Sequence, residues 1–297
     1  MPAADALSGY TFLAGFLATG VAVLGYVVSA VATVRAAPRR PMGAIAGTPG
    51  GDTAPPPSPW SIGRYASLLV LVAIGFVTAS LVLRAIAAGH GPFANMYEFS
   101  VAFAWGILVA EAWFERRFRQ PLLGLVVLPI ALALMAYALA IPSTIEPLLP
   151  ALQNSLLLTV HVAVAIVAYG SFTVGFAAAV LHLVQPEAGR RGLPGPAALD
   201  EIGYRSIAVG FPFLTLTIAL GALWADVAWG RYWGWDPKET ASLVTWLIYA
   251  AYLHARVVRG WRGRRAAVLL VVGFGATLFT FFGVNLFLPG LHSYSGL

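Results

Sequence analysis

The chain has no cysteine among its 297 residues. It therefore forms no disulfide, relays no thiol redox chemistry and offers no thiolate to a metal. Charge is scarce as well: Asp, Glu, Lys and Arg make up 10% of the residues, against roughly a quarter in soluble domains. Phosphate-cradling glycine loops, HExxH-type zinc pairs and Ser-His-Asp signatures are missing, and the histidines lie far apart in sequence, which makes zinc a poor fit. The first positive residue is Arg35, so no basic region precedes the first apolar run. That run is expected to be a true span and not a cleavable leader. In so oily a chain the net charge of +6 speaks for orientation in a bilayer, and nucleic acid is a poor second reading.

What the chain does have is hydrocarbon. Apolar residues make up 59% of it and its mean hydropathy is +0.81, the profile of an all-α polytopic membrane protein. A run of about 20 apolar residues crosses the ~30 Å bilayer core. Eight such runs are expected to be transmembrane helices, at about 9–34, 62–88, 97–115, 121–141, 155–184, 206–226, 239–258 and 266–288. Pro129 and Pro212 fall inside two of them, where each frees a carbonyl. The Pro- and Gly-dense segment 36–60 has no apolar period and reads as a disordered linker. It divides a first transmembrane helix, 1–35, from a membrane domain, 61–297.

The positive residues sort by connection. Arg35, Arg39, Arg40 and Arg64, then Arg116, Arg117 and Arg119, then Arg190, Arg191 and Arg205, then Arg256, Arg259, Arg262, Arg264 and Arg265 occupy alternate connections. Only Arg84, Arg231 and Lys238 lie toward the other side. The positive-inside rule then predicts both termini outside (N-out, C-out) and the linker in the cytoplasm. On the outer side, Asn95-Met-Tyr-Glu98 has the spacing of a capping box, and Ser143-Thr-Ile-Glu146 that of a cap on a short surface helix.

One outer stretch is unlike a span or a plain loop: Trp229-Gly-Arg-Tyr-Trp-Gly-Trp-Asp-Pro-Lys-Glu239. With Trp224 it holds four of the nine tryptophans, so the loop is drawn at about 224–240. An interfacial aromatic belt accounts for part of this. It does not account for the glycine spacing or for Arg231 and Lys238 between the rings. Trp229, Tyr232, Trp233 and Trp235 are suited to walling a flat apolar ligand, and the two cations to holding its carboxylates. Asp236 reads first as the N-cap of the next helix, with Pro237 at its first position and Glu239 completing the box, and only second as a ligand contact.

The five histidines divide by side: His90, His161 and His292 outer, His182 and His254 inner. His161 is about two turns into its span. His254 lies 18 residues past Asp236, about 27 Å along a helix. Two imidazoles can hold a haem iron axially. A histidine near an interface can equally serve a headgroup or a carbonyl, and residue type alone leaves both readings open for His161, His292 and His254.

The stretch at 229–239 resembles the tryptophan-rich WWD signature of the haem-handling proteins of cytochrome c maturation. Together with Gly91-Pro-Phe-Ala-Asn95-Met-Tyr-Glu98, His161 and the tail Gly283-Val-Asn-Leu-Phe…Gly-Leu-His292-Ser-Tyr, it is similar to the CcsA (ResC) family, over spans two to eight. The resemblance implies the membrane subunit of the system II cytochrome c synthase (haem lyase) in the bacterial cytoplasmic membrane. Haem b would be relayed outward and held at an external site by His161 and His292, with the WWD residues Trp229, Arg231, Tyr232, Trp233, Trp235, Asp236 and Lys238 around it. His254 matches a transmembrane histidine of that family, which implies an earlier haem site completed by a CcsB (ResB)-type partner. An apocytochrome c would bring the CXXCH thiols that this chain lacks. His90 and His182 receive no role. The rival expectations are a CcmC-like protein that loads a haem chaperone, and a cofactor-free membrane scaffold or transporter.

Overall fold

The computed structural model describes residues 2–36, 62–145, 155–189 and 193–291. Among them all regular structure is helical. Eight long helices run α1 (Pro2–Ala36), α2 (Ile62–Ala88), α3 (Met96–Phe118), α4 (Gly124–Ala140), α5 (Ser155–Leu183), α6 (Pro196–Trp229), α7 (Pro237–Val257) and α8 (Arg264–Leu278). A short 3₁₀ turn, Pro121–Leu123, leads into α4. A π-helical turn, Phe279–Gly283, carries α8 into a last piece, α9 (Val284–Phe287). Two expectations fall outside the described residues: the linker at 36–60 beyond Ala36, and the surface helix beginning near Glu146.

Six helices are long and apolar enough to cross a membrane: α1, α2, α4, α5, α6, and α8 with its extension. The other two, α3 with 23 residues and α7 with 21, have the length but not the apolarity. For α3 the reason is placement. It carries Glu98 and Glu111, both buried, so these two carboxylates face protein instead of lipid. Helix α6 begins ten residues before the expected span because its first turns are polar. Pro196 sits at N1 and Arg205 pairs with Glu201 one turn earlier, and an apolar window does not see a helix that continues out of the hydrocarbon. Pro129 and Pro212 lie inside α4 and α6 without ending them.

The core forms two joined clusters, one drawn mainly from α1–α5 and one from α5–α8. Helix α5 belongs to both and is the most buried of the apolar spans, at 72% of its apolar window. Small residues let it approach α3 closely, since a Cβ on Gly170 would lie 2.7 Å from Gly106 O. The packing leaves two ends. At the aromatic end lie the α2–α3 and α6–α7 loops and the end of α8–α9. At the arginine end, Arg256 Nη1 meets Asp200 Oδ2 at 2.6 Å and Gly263 N donates to Asp200 Oδ1 at 2.8 Å. That pair ties α6, α7 and α8 together, so Arg256 serves the fold as well as the charge bias.

The aromatic end is fastened by Arg84, which is 3% exposed. Its guanidinium meets Glu98 Oε1 at 2.8 Å, Asp5 Oδ1 at 2.9 Å and Thr144 O at 3.2 Å. The N-cap expected at Asn95 forms beside it, although the reciprocal half of the box does not return to Asn95. Asn95 Oδ1 accepts Glu98 N, while the Glu98 carboxylate reaches back one residue further to Ala94 N. Removing one partner of a buried ion pair costs about 3–5 kcal/mol. Arg84→Met is therefore expected to lower the thermal midpoint of the purified protein by several degrees, and Arg84→Lys by less. An unchanged midpoint in Arg84→Met would show that the network does not hold this end.

Candidate functional site

At the aromatic end, α3, α5, α6, α7 and the π-turn of α8 line a cavity with a wide mouth; cavity and open mouth together span about 1100 Å3. Its walls are apolar and aromatic: Phe99 and Phe103 from α3, Tyr169 from α5, Trp224 from α6, Trp233 from the loop and Phe281 from the π-turn. The polar groups that enter it are few, chiefly His161, Lys238, Glu239 and Asn285.

His161 projects from α5 toward α6, where Gly221 makes room for it. A Cβ on Gly221 would stand 2.9 Å from His161 Cε1. The imidazole lies nearly parallel to Trp224, with centroids 6.4 Å apart and planes at 20°. Trp224 is 2% exposed and is met edge-on by Trp229 at 4.9 Å. One ring of the tryptophan stretch thus supports another that supports the histidine.

The α6–α7 loop is built by its own hydrogen bonds. Gly230 closes α6 in the left-handed region at φ +70°, and its N–H returns to Asp226 O. Glu239 Oε2 accepts both Gly234 N at 2.8 Å and Asp236 N at 3.1 Å. Asp236 caps α7 through Lys238 N at 3.0 Å, which completes the box that the spacing predicts. Its other oxygen accepts Leu291 N at 2.8 Å. Buried Asp236 therefore joins the α6–α7 loop to the C-terminal segment, at the residue before His292.

Lys238 is the only lysine in the chain. Its ammonium donates to Asn285 Oδ1 at 3.2 Å, and Asn285 in turn donates from Nδ2 to Phe281 O at 2.6 Å and approaches Met96 Sδ at 3.4 Å. The π-turn makes this possible. Val284 N bonds back five residues to Phe279 O, and the Phe281 carbonyl is taken by the Asn285 side chain. Three separated stretches, at Met96, Lys238 and Asn285, meet at one point of the wall.

Of the residues expected at the site, His161, Trp233 and Lys238 line this cavity; Trp229 and Asp236 stand behind it. Tyr232 and Trp235 are 58% and 68% exposed and are not part of the cavity's lining. Arg231 is exposed and folds over Gly234, where a Cβ would lie 2.7 Å from its Nε. His254 is at the opposite end of α7, on an exposed face. His292 lies outside the described residues. His182 Nδ1, in the last turn of α5, is 3.1 Å from Pro196 O, and His90 Nδ1 in the α2–α3 loop is 2.8 Å from Gly91 O. Among the described residues no three His, Asp or Glu side chains form a group able to hold a metal ion. Trp224, Met96 and Asn285 fall within stretches that the sequence singles out, but none of them is among the candidate site residues; a lone Asn in the last apolar run is the signal that marks Asn285.

Residues 93–292 match the family model described as cytochrome C assembly protein. The chain is 40% identical over 260 residues to a cytochrome c biogenesis protein CcsA of Synechococcus sp. (strain CC9902), covering 76% of this chain and 85% of that one. It is 36% identical over 263 residues to the CcsA of Guillardia theta, covering 80% and 86%. Its fold is similar to that of a solved structure titled cytochrome c heme lyase CcmF, with a TM-score of 0.65 at 18% identity. That likeness covers 94% of this chain and 46% of the CcmF chain, so the present chain spans about half the length of that structure.

Proposed function

The chain belongs to the cytochrome c assembly family, among the CcsA cytochrome c biogenesis proteins, and on that premise we propose that its cavity at the aromatic end holds haem b for attachment to apocytochrome c. The observation that carries this reading is the composition of one chamber. An imidazole, aromatic walls and a single lysine converge on one cavity. A porphyrin presents an iron, a flat apolar ring and two carboxylates, and each has a counterpart there. His161 supplies an axial nitrogen, the rings at Trp224, Trp233 and Phe103 face the macrocycle, and Lys238 meets a propionate. His292, next to the tethered Leu291, supplies the second axial nitrogen.

In this reading haem is the substrate and the chain supplies no nucleophile. Each cysteine thiol of the CXXCH peptide adds across a haem vinyl group. The sulfur bonds to one vinyl carbon and the proton goes to the other, so no electrons are gained or lost. What the protein contributes is register, by holding the ring while the peptide approaches. The exposed Tyr232 and Trp235 are placed to meet that peptide at the rim. His254, exposed at the far end of α7, belongs to an earlier haem site shared with a CcsB (ResB)-type partner. The aromatic end faces outward from a bacterial cytoplasmic membrane, and the arginine end faces the cytoplasm.

The test is spectroscopic. The chain purified with its partner is expected to carry b-type Soret absorbance. Lys238→Gln should weaken haem retention roughly tenfold, the worth of one charge-assisted hydrogen bond, and leave retention of haem dimethyl ester unchanged. Protein that shows no Soret band and gains none with added hemin would refute the proposal.

A further inference from the structure

A second cavity opens at the arginine end, between the start of α2 and the end of α3. It arises because α2 packs chiefly along α1 and only lightly on α3. The groove encloses about 1480 Å3, mouth included. Arg64, Arg116 and Arg119 border it, and Tyr65, Leu68 and Leu71 form an apolar wall that Tyr65 and Leu68 leave half exposed. One carboxylate, Glu115, is in its lining. Its two oxygens accept the Tyr26 and Ser67 hydroxyls, which fix it to the floor. Neither Arg116 nor Arg119 has an ion-pair partner among the described residues.

Arg119 adds an independent observation. It terminates α3 at φ +54°, in the left-handed region. Glycine is the residue that takes this C-terminal position without steric cost. Arginine is there against the backbone preference, as is common where a side chain is needed for binding.

We propose that this groove binds one anionic glycerophospholipid, with its phosphate between Arg116, Arg119 and Arg64 and an acyl chain along Tyr65, Leu68 and Leu71. Guanidinium groups pair with phosphate oxygens in a bidentate manner. Basic pockets between transmembrane helices at the cytoplasmic level take acidic headgroups for the same reason. Haem has carboxylates too, but no histidine or methionine lines the groove, so the usual imidazole and thioether ligands of a b-type haem are missing there. This site is independent of the haem reading of the aromatic end.

The experiment uses the full chain in detergent, incubated with phosphatidylglycerol and phosphatidylcholine of identical acyl chains and read by native mass spectrometry. Wild type is expected to retain one phosphatidylglycerol in roughly tenfold preference. Arg116→Gln/Arg119→Gly should bring that preference close to parity with no fall in thermal midpoint, since glycine suits the φ of residue 119. Arg205→Gln, which removes an exposed arginine from the same end, should leave the preference unchanged. Equal retention of the two lipids by wild type, or a preserved preference in the double variant, would overturn the proposal. So would an equal loss in Arg205→Gln, which would mean unspecific surface charge. Displacement of the lipid by millimolar inorganic phosphate would assign the groove to a free anion, and displacement by hemin to a porphyrin; either result overturns the lipid assignment.

Discussion

Exchange of His161 for alanine is expected to weaken haem retention about 100-fold or more, at tenfold for each 1.4 kcal/mol, and to stop cytochrome c assembly in cells. His161 carries the only imidazole among the residues lining the aromatic-end cavity. Its place is set by two neighbours on α6, the parallel Trp224 and the missing side chain of Gly221. The alanine variant keeps both neighbours and leaves a space the size of the lost ring. Added imidazole should therefore restore part of the Soret band, a rescue that a merely misfolded variant would not show. Gly221→Ala makes the converse change. Its methyl would press on His161 Cε1 from 2.9 Å, so the ligand remains but tilts, and the spectrum should shift with a smaller loss of affinity. A wild-type spectrum in His161→Ala, with full assembly, would show that this histidine does not ligate the iron.

Asp236→Ala is expected to have the second largest effect, because one side chain holds two segments. Losing the N-cap costs about 0.5–2 kcal/mol of helix stability. The same change releases Leu291 N, and with it the approach to His292. Haem retention should fall at least tenfold, with only a modest drop in thermal midpoint. Asp236→Asn separates the two tethers. Asparagine caps a helix about as well as aspartate, but its single oxygen serves one of the two amides, Lys238 N or Leu291 N, and its NH2 group meets the other, so this variant should fall between wild type and Ala. A wild-type result for Asn would show that one of the two hydrogen bonds is enough.

Much of this was legible in the sequence, for physical reasons that differ by element. Apolar runs marked α1, α2, α4, α5 and the body of α6 because lipid-facing helices must be apolar throughout. The caps at Asn95 and Asp236 were visible because capping is a local matter of side-chain reach. The limits of the reading have causes too. The polar start of α6 lies outside an apolar window, and the acidic residues of α3 look out of place until the bundle surrounds them. At the site, local pattern identified the tryptophan stretch but could not rank its rings. Trp233 faces inward and Trp235 outward, with Trp235 at φ +55°, a turn that no period of two or 3.6 describes. The meeting of Met96, Lys238 and Asn285 is a long-range event, and a single sequence carries no sign of it.

The π-turn at Phe279–Gly283 has a consequence for how such chains can diverge. One residue rotates a helix by about 100°, and the inserted residue sets α9 out of phase with α8. The half toward the arginine end packs Leu270 and Phe274 into the core around Tyr249, while the half toward the aromatic end brings Asn285 to Lys238. Substitutions in the turn can be absorbed one side chain at a time. A gain or loss of one residue there acts on every position beyond it at once, so it would turn Asn285 away from Lys238 without changing either residue.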